Sequence, residues 1–320
     1  NVVTLIRQGR CTLLSALQQQ QIMMLECIIT AFTLSALSLE GARSSQRQMM
    51  ASSWLIMIAS LSFSYSKPVD QLHKVRPLNS LFHPAVFISM LGQACIHLFC
   101  MSYAVKLATE TMGEAKLQEV VEFHKRDDEA EAAAAAAIES GAEEEEWDFW
   151  SMWEKPFLPN LMNTVIFLVE TAQIIAILFV NYKGRPWMNG LMENHSLFLS
   201  IFLCVALVAT CAWGYFPALN TLIHLEPFPD DAFRWQVMGL VGASLVGTFL
   251  WDRLVVAIFA KPIFSAMIDN AKRTTISDLK PILMTLLKVV GGVILLGSGN
   301  ILLWIGAFYA YRRFFRQPSA

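Results

Sequence analysis

The sequence has little charge: Asp, Glu, Lys and Arg make up 16% of its 320 residues, where soluble domains carry about 25%. That shortfall argues against an ordinary water-soluble globule. Cysteine is sparse as well. The six residues Cys11, Cys27, Cys95, Cys100, Cys204 and Cys211 lie in or beside apolar runs, with no metal-ligand spacing. A disulfide framework is therefore not expected, and buried small apolar side chains are. There is no glycine-rich phosphate loop, no nucleophile spaced against a base and no metal cluster, so no catalytic residue and no metal ligand is assigned. Nothing in the pattern suggests nucleic-acid binding. Alternation over about ten residues, the mark of a membrane barrel, is missing too. No signal peptide precedes the first apolar run. The first residue is Asn1 rather than Met, which leads us to expect a piece of a longer protein.

What the chain does have is apolar residues, 55% of the total, gathered into blocks. About 20 apolar residues span a bilayer as a helix, and backbone groups in lipid must bond within their own segment. The blocks therefore predict an all-α polytopic transmembrane helix bundle. Six spans are expected, at about 12–39, 49–65, 82–108, 161–180, 197–216 and 235–260. A seventh apolar stretch covers about 289–311, with Gly291, Gly292, Gly297, Gly299 and Asn300 within it. It either crosses once or folds back as a glycine-broken hairpin.

Charge is unevenly placed. Residues 109–158 hold 15 acids against four bases, a net of −11, and the rest of the chain is +9. This stretch reads as one long acidic loop. Its alanines, Ala132 to Ala137, favour a short helix, but charge repulsion and the lack of anchors predict disorder. Trp147, Phe149, Trp150, Trp153 and Phe157 gather at its end and suit an interfacial belt. The chain thus divides into 1–108 (three spans, opening at a junction with a cytosolic domain), 109–158 (acidic non-cytosolic loop), 159–262 (spans four to six) and 263–320 (a cytosolic linker with the extra apolar segment).

Orientation follows from Lys and Arg in the short loops. With a cytosolic amino terminus, the loops after spans two, four and six carry nine bases, from Lys67 to Lys280. The opposite loops carry Arg43, Arg47 and Arg234. The bias favours this arrangement.

Polar residues inside spans are costly and mark cavities or partners. Gln18 to Gln21 cover the whole circumference of the first span, and Gln18 and Glu26 are expected to share a face. Gln93 and His97 stand in the third span, Glu170 and Gln173 in the fourth. The tentative cavity set is Gln18, Gln21, Glu26, Gln93, His97, Glu170 and Gln173. Interhelical hydrogen bonding is the alternative, at about 0.6 kcal/mol each, and it is the preferred reading for His97. If Glu26 and Glu170 face one cavity, they favour cations or basic substrate segments. Asp252 and Arg253 read as helix-end residues.

The segment Leu5-Ile6-Arg7-Gln8-Gly9-Arg10-Cys11-Thr12-Leu13 resembles the entry to the fifth membrane helix of P-type ATPases. There an Ile-Arg-(Gln/Glu)-Gly-Arg element joins the phosphorylation domain to the membrane. Its Gln and Cys versions are similar to the type V, A-branch enzymes, the endoplasmic-reticulum transmembrane-helix dislocases. Further matches follow in order: Leu39-Glu40-Gly41, Ser66-Lys67-Pro68, Arg76-Pro77-Leu78, Asn181-Tyr182-Lys183-Gly184 with Pro186, and Asp252-Arg253. The resemblance covers roughly residues 1–262 and implies that the six spans are membrane helices five to ten. It implies a multi-pass endoplasmic-reticulum membrane protein with a cytosolic amino terminus and Arg7, Gly9 and Arg10 at the domain junction. Its partners would be membrane lipid, transmembrane-helix substrates and the rest of its own polypeptide. ATP and Mg would act in cytosolic domains outside this chain, and no cofactor in it. Two rivals remain: a cation or polyamine pump of the sister branch, and a non-ATPase, proton-coupled transporter using Glu26 and Glu170.

Overall fold

The computed structural model describes residues 2–140 and 155–273, with single positions between 280 and 291. The chain divides into two compact units, residues 1–270 and 271–320. The second lies almost wholly outside the described residues, and with it the seventh apolar stretch. Eight helices are described: α1 (Val2–Leu39), α2 (Gln46–Ser64), α3 (Pro84–Glu139), α4 (Leu161–Asn181), α5 (His195–Trp213), α6 (Pro217–Leu222), α7 (Asp231–Phe259) and α8 (Lys261–Arg273). Among the described residues the only β feature is an isolated bridge, Pro68 to Met188.

Local chemistry sets the helix ends. Asn160, Asn194 and Asp230 accept the backbone N–H of Asn163, Leu197 and Phe233 at the starts of α4, α5 and α7, which satisfies otherwise orphaned donors. Gly214 closes α5 in the left-handed conformation, which a residue without Cβ adopts freely.

The helix α4 is the axle. All but a few of its residues are buried, and α1, α3, α5 and α7 pack on it, with the α3–α7 contact the most extensive pairing. Gly92 of α3 makes that contact possible. A Cβ there would lie 1.9 Å from Trp251 Nε1, whose N–H donates to Ile88 O at 3.1 Å. The outer helices carry their apolar residues outward: Met23, Met24 and Ile28 on α1, Trp54, Ile58 and Leu61 on α2, Leu91 and Phe99 on α3, Leu250, Leu254 and Ile258 on α7 are all exposed. A bundle with a buried core and a continuous apolar exterior suits lipid as its solvent. Among the described residues five helices, α1, α3, α4, α5 and α7, are long and apolar enough to cross a membrane. The expected second span is helical, but Gln46, Arg47 and Gln48 fill its first turn, so α2 falls short of that measure.

Two expectations are corrected. Residues 109–139 are helical, not disordered: α3 runs on to Glu139, broken only at Gly113 (φ 73°, ψ 164°). The alanines favour helix, and the segment has anchors after all. Val120 is buried, Val121 meets Gly41, Asp128 pairs with Arg43 and Lys116 with Glu226. Residues 141–154, including the Glu143–Glu146 run and Trp147 to Trp153, lie outside the described residues. Second, only Cys11, Cys100, Cys204 and Cys211 are buried; Cys27 and Cys95 are exposed on the outer surface.

Candidate functional site

A slot separates α1 from α2, which make at most marginal contact with each other. Its floor is α4. In the half nearer the amino terminus, Gln19, Ile22, Met23 and Glu26 of α1 face Met57, Ser60, Leu61 and Ser64 of α2 across a cavity of about 410 Å³. Gln19 Nε2 donates to Ser64 Oγ at 2.9 Å. One carboxylate oxygen of Glu26 is buried without a hydrogen-bond partner. In the other half, Thr30 and Leu34 face Gln48, Ser52 and Ser53, with Asn163 and Glu170 of α4 behind, around a cavity of about 160 Å³. Thr30 Oγ1 donates to Glu170 Oε1 at 3.3 Å. A narrow apolar neck with Ile56 and Ile174 lies beside it. Met23, Leu34, Met49, Met57 and Leu61 on the rims are exposed, so the slot opens sideways.

The slot residues on α1 are therefore Gln19, Glu26 and Thr30. Seven residues fall only about 20° short of two turns, which puts Gln19 on the same line as Glu26. Gln18 faces elsewhere: it is 1% exposed and donates to Lys183 O at 3.1 Å. Gln21 is buried on the same side. The two acids do not meet in one cavity; they line adjoining cavities at different depths, linked along α1 by the single turn from Glu26 to Thr30.

The remaining predicted residues belong to a buried network among α3, α4 and α7. Gln93 and Asn181 exchange hydrogen bonds at 3.2 and 2.9 Å, and Gln93 also donates to Ser89 Oγ. His97 Nδ1 lies 2.7 Å from Ser244 Oγ, and Gln173 Nε2 donates to His97 O at 2.9 Å. Sequence reasoning missed the hub. Asp252, 0% exposed, accepts from Ser89 at 2.6 Å, Lys183 at 2.9 Å and Arg253 at 3.1 Å. The signal was present: an aspartate deep in an apolar helix has to find donors. Its partner sits in a loop 69 residues away, which no helical spacing reveals.

The junction residues act on a loop. Arg7 donates to Asp70 O and Arg10 to His73 O at 2.8 Å, so α1 grips the α2–α3 connection. That connection is stapled to the loop after α4, where Asn189 N donates to Lys67 O and Trp187 Nε1 to Val75 O. Nothing lies within 4 Å of a Cβ placed at Gly9. Beyond the spans, Arg185 holds the Glu193 carboxyl below its ordinary range by a side-chain hydrogen bond.

The buried axle, the apolar exterior and the polar slot define a multi-pass, all-α membrane helix bundle. No protein-family model matches the chain, but curated relatives do. The endoplasmic reticulum transmembrane helix translocase spfA of Aspergillus fumigatus is 26% identical over 259 residues, 81% of this chain. The endoplasmic reticulum transmembrane helix translocase of Schizosaccharomyces pombe is 29% identical over 260 residues, also 81% of this chain. The protein named "Probable manganese-transporting ATPase PDR2" of Arabidopsis thaliana is 28% identical over 254 residues, 79% of this chain. These names agree with the resemblance carried by the motifs. The chain spans only 17%, 19% and 19% of these relatives' lengths.

Proposed function

We propose that residues 1–262 form membrane helices five to ten of an ATP-driven translocase that extracts or flips mistargeted transmembrane helices, with α1 entering from the cytosol. The observation that carries this reading is the sideways-open slot between α1 and α2. Its rims are apolar, as a lipid-borne helix requires, and Glu26, Glu170, Gln19, Gln48 and Asn163 supply hydrogen-bonding groups for the polar residues that distinguish a misplaced segment. Arg7 and Arg10 couple the entering end of α1 to the α2–α3 connection, so motion of a cytosolic domain reaches both walls of the slot. No phosphate-binding loop is present in residues 1–320, so ATP and Mg would bind in other domains of the full-length polypeptide.

The test is reconstitution of the full-length polypeptide with a labelled transmembrane helix. ATP-dependent release of that helix, weakened by changes to the slot, is the expected result. An upstream sequence without an Asp-Lys-Thr-Gly-Thr element would overturn the enzyme reading. The Arabidopsis relative, named as a probable manganese-transporting ATPase, favours one alternative, a cation pump. Turnover stimulated by manganese or polyamines but not by apolar helices would establish it in place of helix extraction.

A further inference from the structure

The end of the slot away from the amino terminus is closed by a cluster that neither the motifs nor the relatives' names account for. Four segments meet there. The α1–α2 turn and the first turn of α2 bring Arg43, Ser45, Arg47 and Gln48. The extension of α3 beyond Gly113 brings His124, Asp127 and Asp128. Phe157, in the stretch leading into α4, and His224, in the turn after α6, complete it. Phe157 stacks on the His224 ring with centroids 5.4 Å apart and planes 13° off parallel. It also meets the His124 ring at 6.2 Å, so one phenyl ring bridges two imidazoles. Through His224 the far turn holds the start of α2: its Nδ1 pairs with Ser45 Oγ at 2.8 Å, and its carbonyl accepts from Gln48 Nε2 at 3.3 Å. His224 has a φ of 56°, a left-handed conformation that costs an L residue energy and persists only when its surroundings enforce it. Gln48 also lines the outer cavity of the slot, so releasing His224 loosens a slot wall.

We propose that the His124–Phe157–His224 stack is an acid-released clasp that closes this end of the slot. Each histidine is held in a place that disfavours an added proton. His224 sits beside Arg47, and burial first, then that guanidinium, holds its imidazole below the ordinary histidine range. His124 is 6% exposed, and its Nε2 is buried with no hydrogen-bond partner, so a proton added there finds no acceptor. The charged groups facing it are Arg43, which repels, and Asp127 and Asp128, which attract. Asp128 is already engaged in an ion pair with Arg43 at 2.6 Å. Lys155 lines the same cavity of about 90 Å³ and is ion-paired with Glu131, so that pair adds little net charge. The sign follows from linkage. The released histidine binds protons more readily than the clasped one, so the clasp is at full strength above the free-histidine pKa of about 6.5 and weakens as pH falls below it.

Hydrogen exchange on the full-length protein in nanodiscs, from pH 7.5 to 5.5 and corrected for intrinsic rates, tests this. Peptides covering residues 42–50 and 221–226 should show several-fold excess exchange at the acid end, and peptides from the middle of α4 none. The variant His124→Phe/His224→Asn should remove the excess; Asn tolerates a left-handed backbone and does not titrate. No excess in the wild type, or an excess that persists in the variant, overturns the proposal. A readout on the wild type alone guards against a variant that fails to fold: carbethoxylation of His224, followed by mass spectrometry across the same pH range. A reactivity profile of an ordinary free histidine at His224 would equally overturn the clasp. None of these outcomes depends on ATP turnover, so the clasp and the translocase reading can fail separately.

Discussion

Removing Lys183 tests the hub most directly. In the native bundle its Nζ lies 2.9 Å from Asp252 Oδ1, with side chains 10% and 0% exposed. Lys183→Met keeps the stem and deletes the charge. Asp252 then has only Ser89 and the part-exposed Arg253 for a carboxylate that cannot reach water. Taking one partner from a buried pair costs about 3–5 kcal/mol, and the two surviving donors place the change near the lower figure, about 3 kcal/mol. At about 2–4 °C per kcal/mol for a unit of this size, the apparent Tm should drop by roughly 6–12 °C. Deleting both charges, Lys183→Met with Asp252→Leu, removes the buried unpaired carboxylate, at the smaller cost of leaving Ser89 without its acceptor, and should restore part of the loss. The bond from Gln18 to the Lys183 backbone is untouched in either variant, so the docking of α1 does not confuse the comparison.

The native thiols provide the assay. Cys11, Cys100, Cys204 and Cys211 are buried, while Cys27 and Cys95 are exposed. A thiol-reactive dye added during a thermal ramp therefore reads a fixed baseline and then four further sites as the bundle opens. A single variant as stable as wild type, or a double variant no better than the single one, would refute the assignment of Asp252 as a carboxylate that depends on Lys183.

Other outcomes follow from the same structure. Gln18→Leu should lower thermal stability by about 1 kcal/mol and leave helix extraction intact, whereas Gln19→Leu and Glu26→Gln should impair extraction with little change in Tm. Gly92→Ala should cost about 1–3 kcal/mol by overpacking, and Trp251→Leu in the same chain should recover part of it, read by the thiol assay. Gly113→Ala places a Cβ where φ is +73° and should cost about 1–3 kcal/mol, seen as faster hydrogen exchange over residues 114–136. Arg185→Met removes the group that holds Glu193 below the ordinary carboxyl range. The wild type's stability advantage over that variant should be complete above about pH 4.3 and vanish as the pH falls through the lower folded value.

Six helices were legible in the sequence because lipid leaves an apolar block few other options, and most of their ends agree with the expected spans to within a few residues. The exceptions are α1, which starts at Val2 because its first turns are helical outside the apolar run, and α3, which runs on past the expected end near 108 to Glu139. The acidic stretch was misread because charge density says nothing of docking. Val121 and Asp128 hold that helix through Gly41 and Arg43, about 80 positions earlier, and such pairings leave no local trace. Among candidate site residues, Glu26 and Glu170 were singled out by their cost in lipid, and each borders a cavity. Gln93, His97 and Gln173 were singled out the same way; each is buried against a neighbouring helix, which for His97 is the reading preferred from the sequence. Composition identifies a polar group that needs a partner; only the fold shows whether the partner is already there.

That distinction sorts the intramembrane acids. Asp252 receives three donors and lines neither cavity of the slot. Glu170 has Thr30 and borders the smaller cavity. Glu26 borders the larger one with an oxygen that has no donor. An unsatisfied buried acceptor is costly by about 1–3 kcal/mol, and a bound group that donates to it recovers that cost as affinity, whereas a saturated carboxylate offers no such gain. On the translocase proposal, the α1–α2 slot would favour occupants with a hydrogen-bond donor at the depth of Glu26. A uniformly apolar helix would gain nothing there, and one carrying a polar or basic residue would.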